Sequence, residues 1–202
     1  MNEAEQSMQR GYTYMRDVYR NVARMLLSAD PIMVDRRFNF AGNDWRAVDS
    51  NFATTLQLSR NATDTWLPTR VIRQYVNFDD DNDVVTLAAI LFANDGENPA
   101  VPSAVASRVW FENTGTNDPY WIGVMHVWDA LRPPIDGTVR VLGDRLEASG
   151  LSDANRDIFN RLVRGRRLIS VGVPLTEVTN TDELVSRIIS PLLEHPWPLE
   201  KP

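Results

Sequence analysis

Residues 84–92, the centre of "DVVTLAAILFA" (83–93), constrain the fold more than any other stretch of the chain. Strand alternation sends Val85, Leu87, Ala89 and Leu91 to one face and Val84, Ala88, Ile90 and Phe92 to the other. Both sets are apolar, so such a strand needs neighbours at both edges and cover on both faces. The spacing predicts an interior rung of a sheet, with helices over at least part of one face. In the acidic "DDDND" just ahead of it, Asp79, Asp81 and Asp83 stand at the first three ligand spacings of a calcium loop. Val84 then falls where that loop needs glycine, and Ile90 where it needs a bidentate glutamate. The stretch reads instead as a hairpin loop whose side-chain oxygens bond the turn backbone, its aspartates in solvent and no metal bound.

Around this strand, "TRVIRQYVNF" (69–78), "ASRVWFEN" (106–113) and "PYWIGVMHVW" (119–128) are β-branched and aromatic runs separated by turn residues. That is the pattern of an antiparallel meander. Ahead of it, Met8, Tyr12, Met15, Tyr19, Val22 and Leu26 recur at steps of four and three, the stripe of a long helix. "SADP" is expected to end the helix, because Pro31 disfavours helical geometry in the residue before it. The stripe is expected to pack inside the domain, with a partner helix as the alternative. Behind the meander, Ser152 as N-cap and Gly165 as stop bracket a helix, and "RRLISVGVPL" reads as a strand. Asn180, three before Glu183, opens a last helix with Leu184, Val185, Ile188, Ile189 and Leu192 on one stripe.

Residues 31–66 are ambiguous: "FNFAGNDW" carries turn residues, while 52–58 alternates as a half-buried strand against a competing helix from Asp44. The expected fold class is α+β. An antiparallel β-meander of about four to six strands (67–130) is packed by a long N-terminal helix (1–30) and two C-terminal helices in a helix-strand-helix unit (150–195), all in a single domain, 1–202.

Candidate chemistry is sparse. The histidines are His126 and His195, and His195, near the end, is expected to be exposed. If a hairpin closes over "TGTN", Val109 and Phe111 share a face with Tyr120, Ile122, Val124 and His126, while Arg108, Trp110 and Glu112 share the other with Trp121 and Met125. His126 then ends an apolar face, where a hydrogen-bonded structural histidine is the ordinary reading. The catalytic alternative is a metal-independent hydrolase or nuclease using His126 with Glu112 or Asp129. Arg108 between tryptophans is either part of a ligand-stacking surface or, preferably, part of a sheet face covered by the N-terminal helix.

"NRDIFNRLVRGRR" gathers Arg156, Arg161, Arg164, Arg166 and Arg167 within twelve residues. Arg161 and Arg164 suit the negative end of a helix dipole. The functional alternative makes Arg161, Arg164, Arg166 and Arg167, with Arg108, a set for binding phosphate or an acidic partner.

Composition closes off other chemistries. The chain has no cysteine, so disulfides, thiolate nucleophiles and thiolate metal sites are excluded. Of 21 basic residues 20 are arginine, and the single lysine, Lys201, is the penultimate residue. Schiff-base and lysine-dependent phosphate chemistry therefore has no well-placed amine. No phosphate loop, GxSxG elbow or HExxH appears, and no cofactor is expected. A net charge of −6 argues against a surface devoted to nucleic acid or anionic lipid. The start of the chain lacks a basic and apolar leader, and no run approaches membrane-helix length, so a cytoplasmic location is expected. The missing constellations weigh against an enzyme. Six tryptophans spread along the chain favour protein-protein contacts. The preferred reading is an accessory domain, adaptor or immunity-type, of a larger system, with another protein or a second copy as partner. A regulatory domain binding a phosphorylated ligand or nucleic acid is the alternative.

Overall fold

The computed structural model describes residues 2–40, 70–91, 101–111, 135–142 and 163–196. Helix α1 (Glu3–Asp35) leads into six strands: β1 (Phe38–Phe40), β2 (Arg70–Asn77), β3 (Asp83–Ile90), β4 (Ser103–Phe111), β5 (Arg140–Leu142) and β6 (Val163–Pro174). A 3-10 turn, Leu175–Glu177, is followed by a continuous helical run: α2 (Thr181–Leu184), a π-helical turn (Val185–Ile189) and α3 (Ser190–Glu194). The strands form one antiparallel sheet in the order β1-β2-β3-β4-β6-β5. The chain is thus α+β, with the expected interior rung in place. β3 has a neighbour on each edge, and every residue of it from Asp83 to Ala89 is buried.

The core lies on one face of this sheet. Tyr75, Val85, Leu87, Ala89, Ala104, Ala106, Ile169, Val171 and Val173 cluster with Val22, Leu26, Ala29 and Met33 of α1. Leu184, Ile188, Ile189 and Leu192 of the C-terminal helical run join them, and Val185 of the expected stripe is half-buried. Ala89 pairs with Ala104 and Leu87 with Ala106, so the sheet is small-sided where the two helical layers meet it. Each fully buried aliphatic side chain contributes about 1.5–3 kcal/mol, and this layer supplies the main driving force. The opposite face is buried as well, through Ile72, Val84, Ala88, Val105, Val109 and Leu168.

Local chemistry sets the helix ends. Asn2 caps α1, its Oδ1 accepting from the Glu5 amide at 2.8 Å while Glu5 Oε2 accepts from the Asn2 amide at 2.8 Å. Asn180 caps α2 as its spacing predicts, accepting from the Glu183 amide at 2.9 Å. The Glu183 carboxylate turns back to Thr179, taking its amide at 2.7 Å and its hydroxyl at 2.8 Å. Those bonds hold the Glu183 carboxyl below its ordinary value. The chain leaves α1 at Arg37 with φ of 67°, a left-handed position that costs a non-glycine residue some strain. Arg37 is anchored there by a forked ion pair to Asp79, at 2.8 and 2.6 Å.

Several expectations fail. Helix α1 does not stop at residue 28 but runs through Pro31 to Asp35, because packing of Ala29 and Met33, both at 0% exposure, outweighs the lost hydrogen bond. Phe38–Phe40, within a stretch read as a turn, pairs with residues 75–77 of β2. Both edges of β4 are taken, by β3 and β6, so the register expected for Arg108, Val109 and Phe111 against a following strand is replaced by pairing with β6. Residues 163–165, expected to end a helix, open β6 instead, and Gly165 stops nothing. Asp83 is not in solvent but buried. The expected strands at 52–58 and 119–128, and the helix body at 150–162, lie outside the described residues.

Replacing Pro31 by alanine restores a backbone donor inside α1. The expected outcome is a gain of about 1–3 kcal/mol in unfolding free energy, read as a higher urea midpoint at unchanged slope.

Candidate functional site

Two arginine-carboxylate pairs lie on the core face, one tying α1 to the sheet and one tying β3 to β4. Along β2, alternation puts Val71, Arg73 and Tyr75 towards α1, so a cation arrives where an aliphatic residue belongs. Asp30 answers it: Arg73 donates through Nε and Nη2 to the two carboxylate oxygens at 2.6 and 2.5 Å. Tyr75 donates its hydroxyl to the same carboxylate at 2.9 Å, and the Arg73 guanidinium lies 4.0 Å from the Phe40 ring centroid. Burial, and then the bond to Asp30, push the Tyr75 phenol above its ordinary value. This phenol is a structural donor, well removed from acid-base work near neutral pH.

The second pair sits two residues along. Arg108 donates to both oxygens of Asp83 at 2.9 and 2.7 Å, and Asn77 Nδ2 donates to Asp83 Oδ2 at 2.8 Å. Their side chains are 16% and 10% exposed. In the turn ahead of Asp83, Asp80 accepts from the Asn82 amide at 3.0 Å, and Asp79 is held by Arg37 at the end of α1. Arg108 is therefore a cross-strand anchor, lying on the α1-covered side of the sheet.

On the other face, register lines up four polar residues on adjacent strands. Gln74 stands opposite Thr86, Thr86 opposite Ser107, and Ser107 opposite Ser170. All four are buried. Gln74 donates to Thr86 Oγ1 at 3.4 Å, and among the described residues the Ser170 hydroxyl has no hydrogen-bond partner.

The accessible feature is the surface beside α1. Its seam continues at steps of three and four from Met8 to Met33, but only the second half, Val22, Leu26, Ala29 and Met33, is in the core. Met8 and Tyr12 are 77% and 71% exposed, and Met15 and Tyr19 are half-buried. The expectation that the whole stripe packs internally is thus corrected. A helix of 33 residues is about 50 Å long, whereas strands of eight residues reach about 27 Å. Part of α1 must overhang. Where the overhang meets the sheet, a groove of about 610 Å³ opens between α1 and the β6-to-α2 connection. Val18, Met25, Leu175 and Val178 give it an apolar floor, with Tyr14 and Arg24 on its rim. Asn180 and Thr181 also line it, but the N-terminus of α2 is closed by its own cap and by Asp182 and Glu183. An anion is poorly served there.

Of the residues singled out from sequence, Arg164, Arg166 and Arg167 lie in β6, so no helix-to-strand turn separates them. Arg161, His126, Glu112 and Asp129 lie outside the described residues, and His195 is partly exposed just beyond α3. Asp30, Arg73, the pairing of Asp83 with Arg108, and the groove were not found from sequence. Arg73 alone carried a signal, being a charge at a core-facing position of an otherwise apolar strand. Among the described residues no group of acidic and histidine side chains is arranged to hold a metal, and no helix is long and apolar enough to cross a membrane.

No family model matches the chain, and no solved structure matches it. Segments of bacterial proteins are similar to it. The DNA-directed RNA polymerase subunit beta' of Listeria grayi is 31% identical over 85 residues, 42% of this chain and 8% of that protein. The same subunit from Finegoldia magna is 32% identical over 79 residues, 39% of this chain and 6% of the subunit. That of Geobacillus kaustophilus is 25% identical over 153 residues, 75% of this chain and 12% of the subunit. The chain therefore spans a small fraction of each relative.

Asp83→Ala removes the forked carboxylate bonds to Arg108 and the bond from Asn77 in a nearly closed site, and a loss of about 3 kcal/mol is expected in urea denaturation. Asp83→Leu combined with Arg108→Met should recover most of it, since packed apolar groups of similar volume replace the buried pair.

Proposed function

We propose that this chain is a single α+β accessory module that works by docking onto other protein in a larger assembly. The observation carrying this reading is the seam of α1. The repeat that buries Val22, Leu26, Ala29 and Met33 continues outward into Met8 and Tyr12, which lie open. A helix face of this kind is the usual element of helix-in-groove and helix-pairing recognition. Partial similarity to a subunit of a multi-subunit polymerase is in keeping with a place in an assembly. The two ion pairs on the core face hold fold elements together.

A second reading is a regulatory domain that binds a phosphorylated small ligand or nucleic acid through Arg161, Arg164, Arg166 and Arg167. The similarity to segments of a DNA-directed RNA polymerase subunit favours it. Under this reading the four-fold arginine-to-glutamine variant loses salt-sensitive binding to nucleotides or oligonucleotides. Equal binding by the variant, or none by the parent, removes it.

The docking reading is tested with Tyr12→Glu. Tyr12 is exposed, so thermal stability should move by no more than about 0.5 kcal/mol, while a stoichiometric protein partner recovered with the tagged parent chain from its native cell should be lost. Recovery of the same partner in full by the variant removes α1 from the interface.

A further inference from the structure

The groove beside α1 is narrow, apolar along its floor and basic on one rim, and we propose that it binds a free long-chain carboxylic acid. The hydrocarbon lies along Val18, Met25, Leu175 and Val178, and the carboxylate meets Arg24. This goes beyond the docking reading, which concerns the face of α1 that carries Met8 and Tyr12.

Shape decides the kind of occupant. The α1 residues lining the groove run from Tyr14 to Ser28, about 21 Å of helix. A volume of about 610 Å³ spread over that length leaves a cross-section of roughly 30 Å². A helix with its side chains, about 10–12 Å across, needs roughly 80 Å² or more. The trough therefore takes one extended chain and not a docked helix. An extended peptide would bring a backbone donor or acceptor at every residue over a floor whose side chains offer neither. A run of methylenes makes no such demand. Val18, Met25 and Leu175 are only partly buried against the core, so each keeps apolar surface for it.

Charge fixes the head group and its position. Arg24 lines the groove, and among the described residues its side chain has no ion pair or hydrogen bond, whereas Arg16 and Arg20 share Asp17. Asn21, one turn earlier on the same rim, has a side-chain amide that is equally uncommitted among the described residues. Together they offer a forked cation and an amide donor to the two oxygens of one carboxylate. The facing rim does not serve an anion: Thr179 and Asn180 are committed to Glu183, and Asp182 stands next to it. A single cation facing that acidic rim suits a head with one negative charge and disfavours a phosphorylated one at this site. From Arg24 the tail runs back to Tyr14, about 15 Å along the helix, close to the extended length of dodecanoate.

Isothermal titration calorimetry of the full chain with sodium dodecanoate, kept below its micelle-forming concentration, should show one site with a micromolar dissociation constant. Octanoate should bind at least tenfold more weakly, since each methylene withdrawn from water is worth roughly fourfold. Arg24→Gln should weaken dodecanoate at least tenfold, and Arg24→Lys should restore most of the loss. Asn21→Trp places a large side chain in the trough and should abolish binding. Both positions are exposed, so melting temperatures should stay within a few degrees of the parent. Absence of dodecanoate binding up to roughly 1 mM overturns the proposal. Equal binding by Asn21→Trp overturns the groove as the site, and equal binding by Arg24→Gln overturns the carboxylate assignment. Capture of the chain by phospholipid vesicles without dodecanoate binding also overturns it, replacing the free acid by a lipid surface. None of these results changes the loss of a protein partner on Tyr12→Glu, so the docking reading stands or falls separately.

Discussion

Desolvation of both faces of β3 is the constraint on which the rest of the structure hangs. A strand with Val85, Leu87 and Ala89 on one side and Val84 and Ala88 on the other cannot sit at an edge or face water. It gathers β2 and β4 to its edges, and the helical layer follows onto one face. The small pairs Ala89 with Ala104 and Leu87 with Ala106 let that layer come close. Burial of β3 also draws Asp83 in at its start. An ion pair with Arg108 and a bond from Asn77 then follow of necessity, since a buried carboxylate without partners would be far costlier.

The polar interactions on the core face are best understood as register devices. Asp30 receives Arg73 and Tyr75 from two successive core-facing positions of β2, fixing where along its length α1 rests. Asp83 and Arg108 do the same between β3 and β4. Apolar contacts are tolerant of sliding, whereas a forked guanidinium-carboxylate bond is satisfied at one position. Once Asp30 is held there, α1 must extend both through Pro31 towards β1 and well beyond the sheet at its other end. The overhang is a geometric outcome of a long helix pinned on a short sheet. It is also the feature that gives the molecule an accessible apolar surface.

Similarity to segments of a polymerase subunit and the exposed seam are independent findings. One is a likeness of sequence over part of the chain, and the other is a physical property of α1. The arginine-rich stretch has changed character in the folded chain. Arg164, Arg166 and Arg167 belong to one strand, so a helix dipole does not account for Arg164.

Much of the fold was legible because it rests on local alternation. Residues 84–90 as an interior strand, the strands around 70–77 and 103–111, and the Asn180 cap all follow from patterns within ten residues. The candidate site was mostly not legible, because it is made by distant pairings: Asp30 with Arg73, β4 with β6 rather than its next strand, and the 175–181 connection beside α1. Pro31 shows the limit most clearly, for a local rule ended the helix while the burial of Met33 carried it on. The sequence by itself determined which residues had to leave water, since that depends on side-chain chemistry and period. Only the tertiary structure decided which apolar residues stayed outside, since that depends on how far a pinned helix outreaches the sheet beneath it.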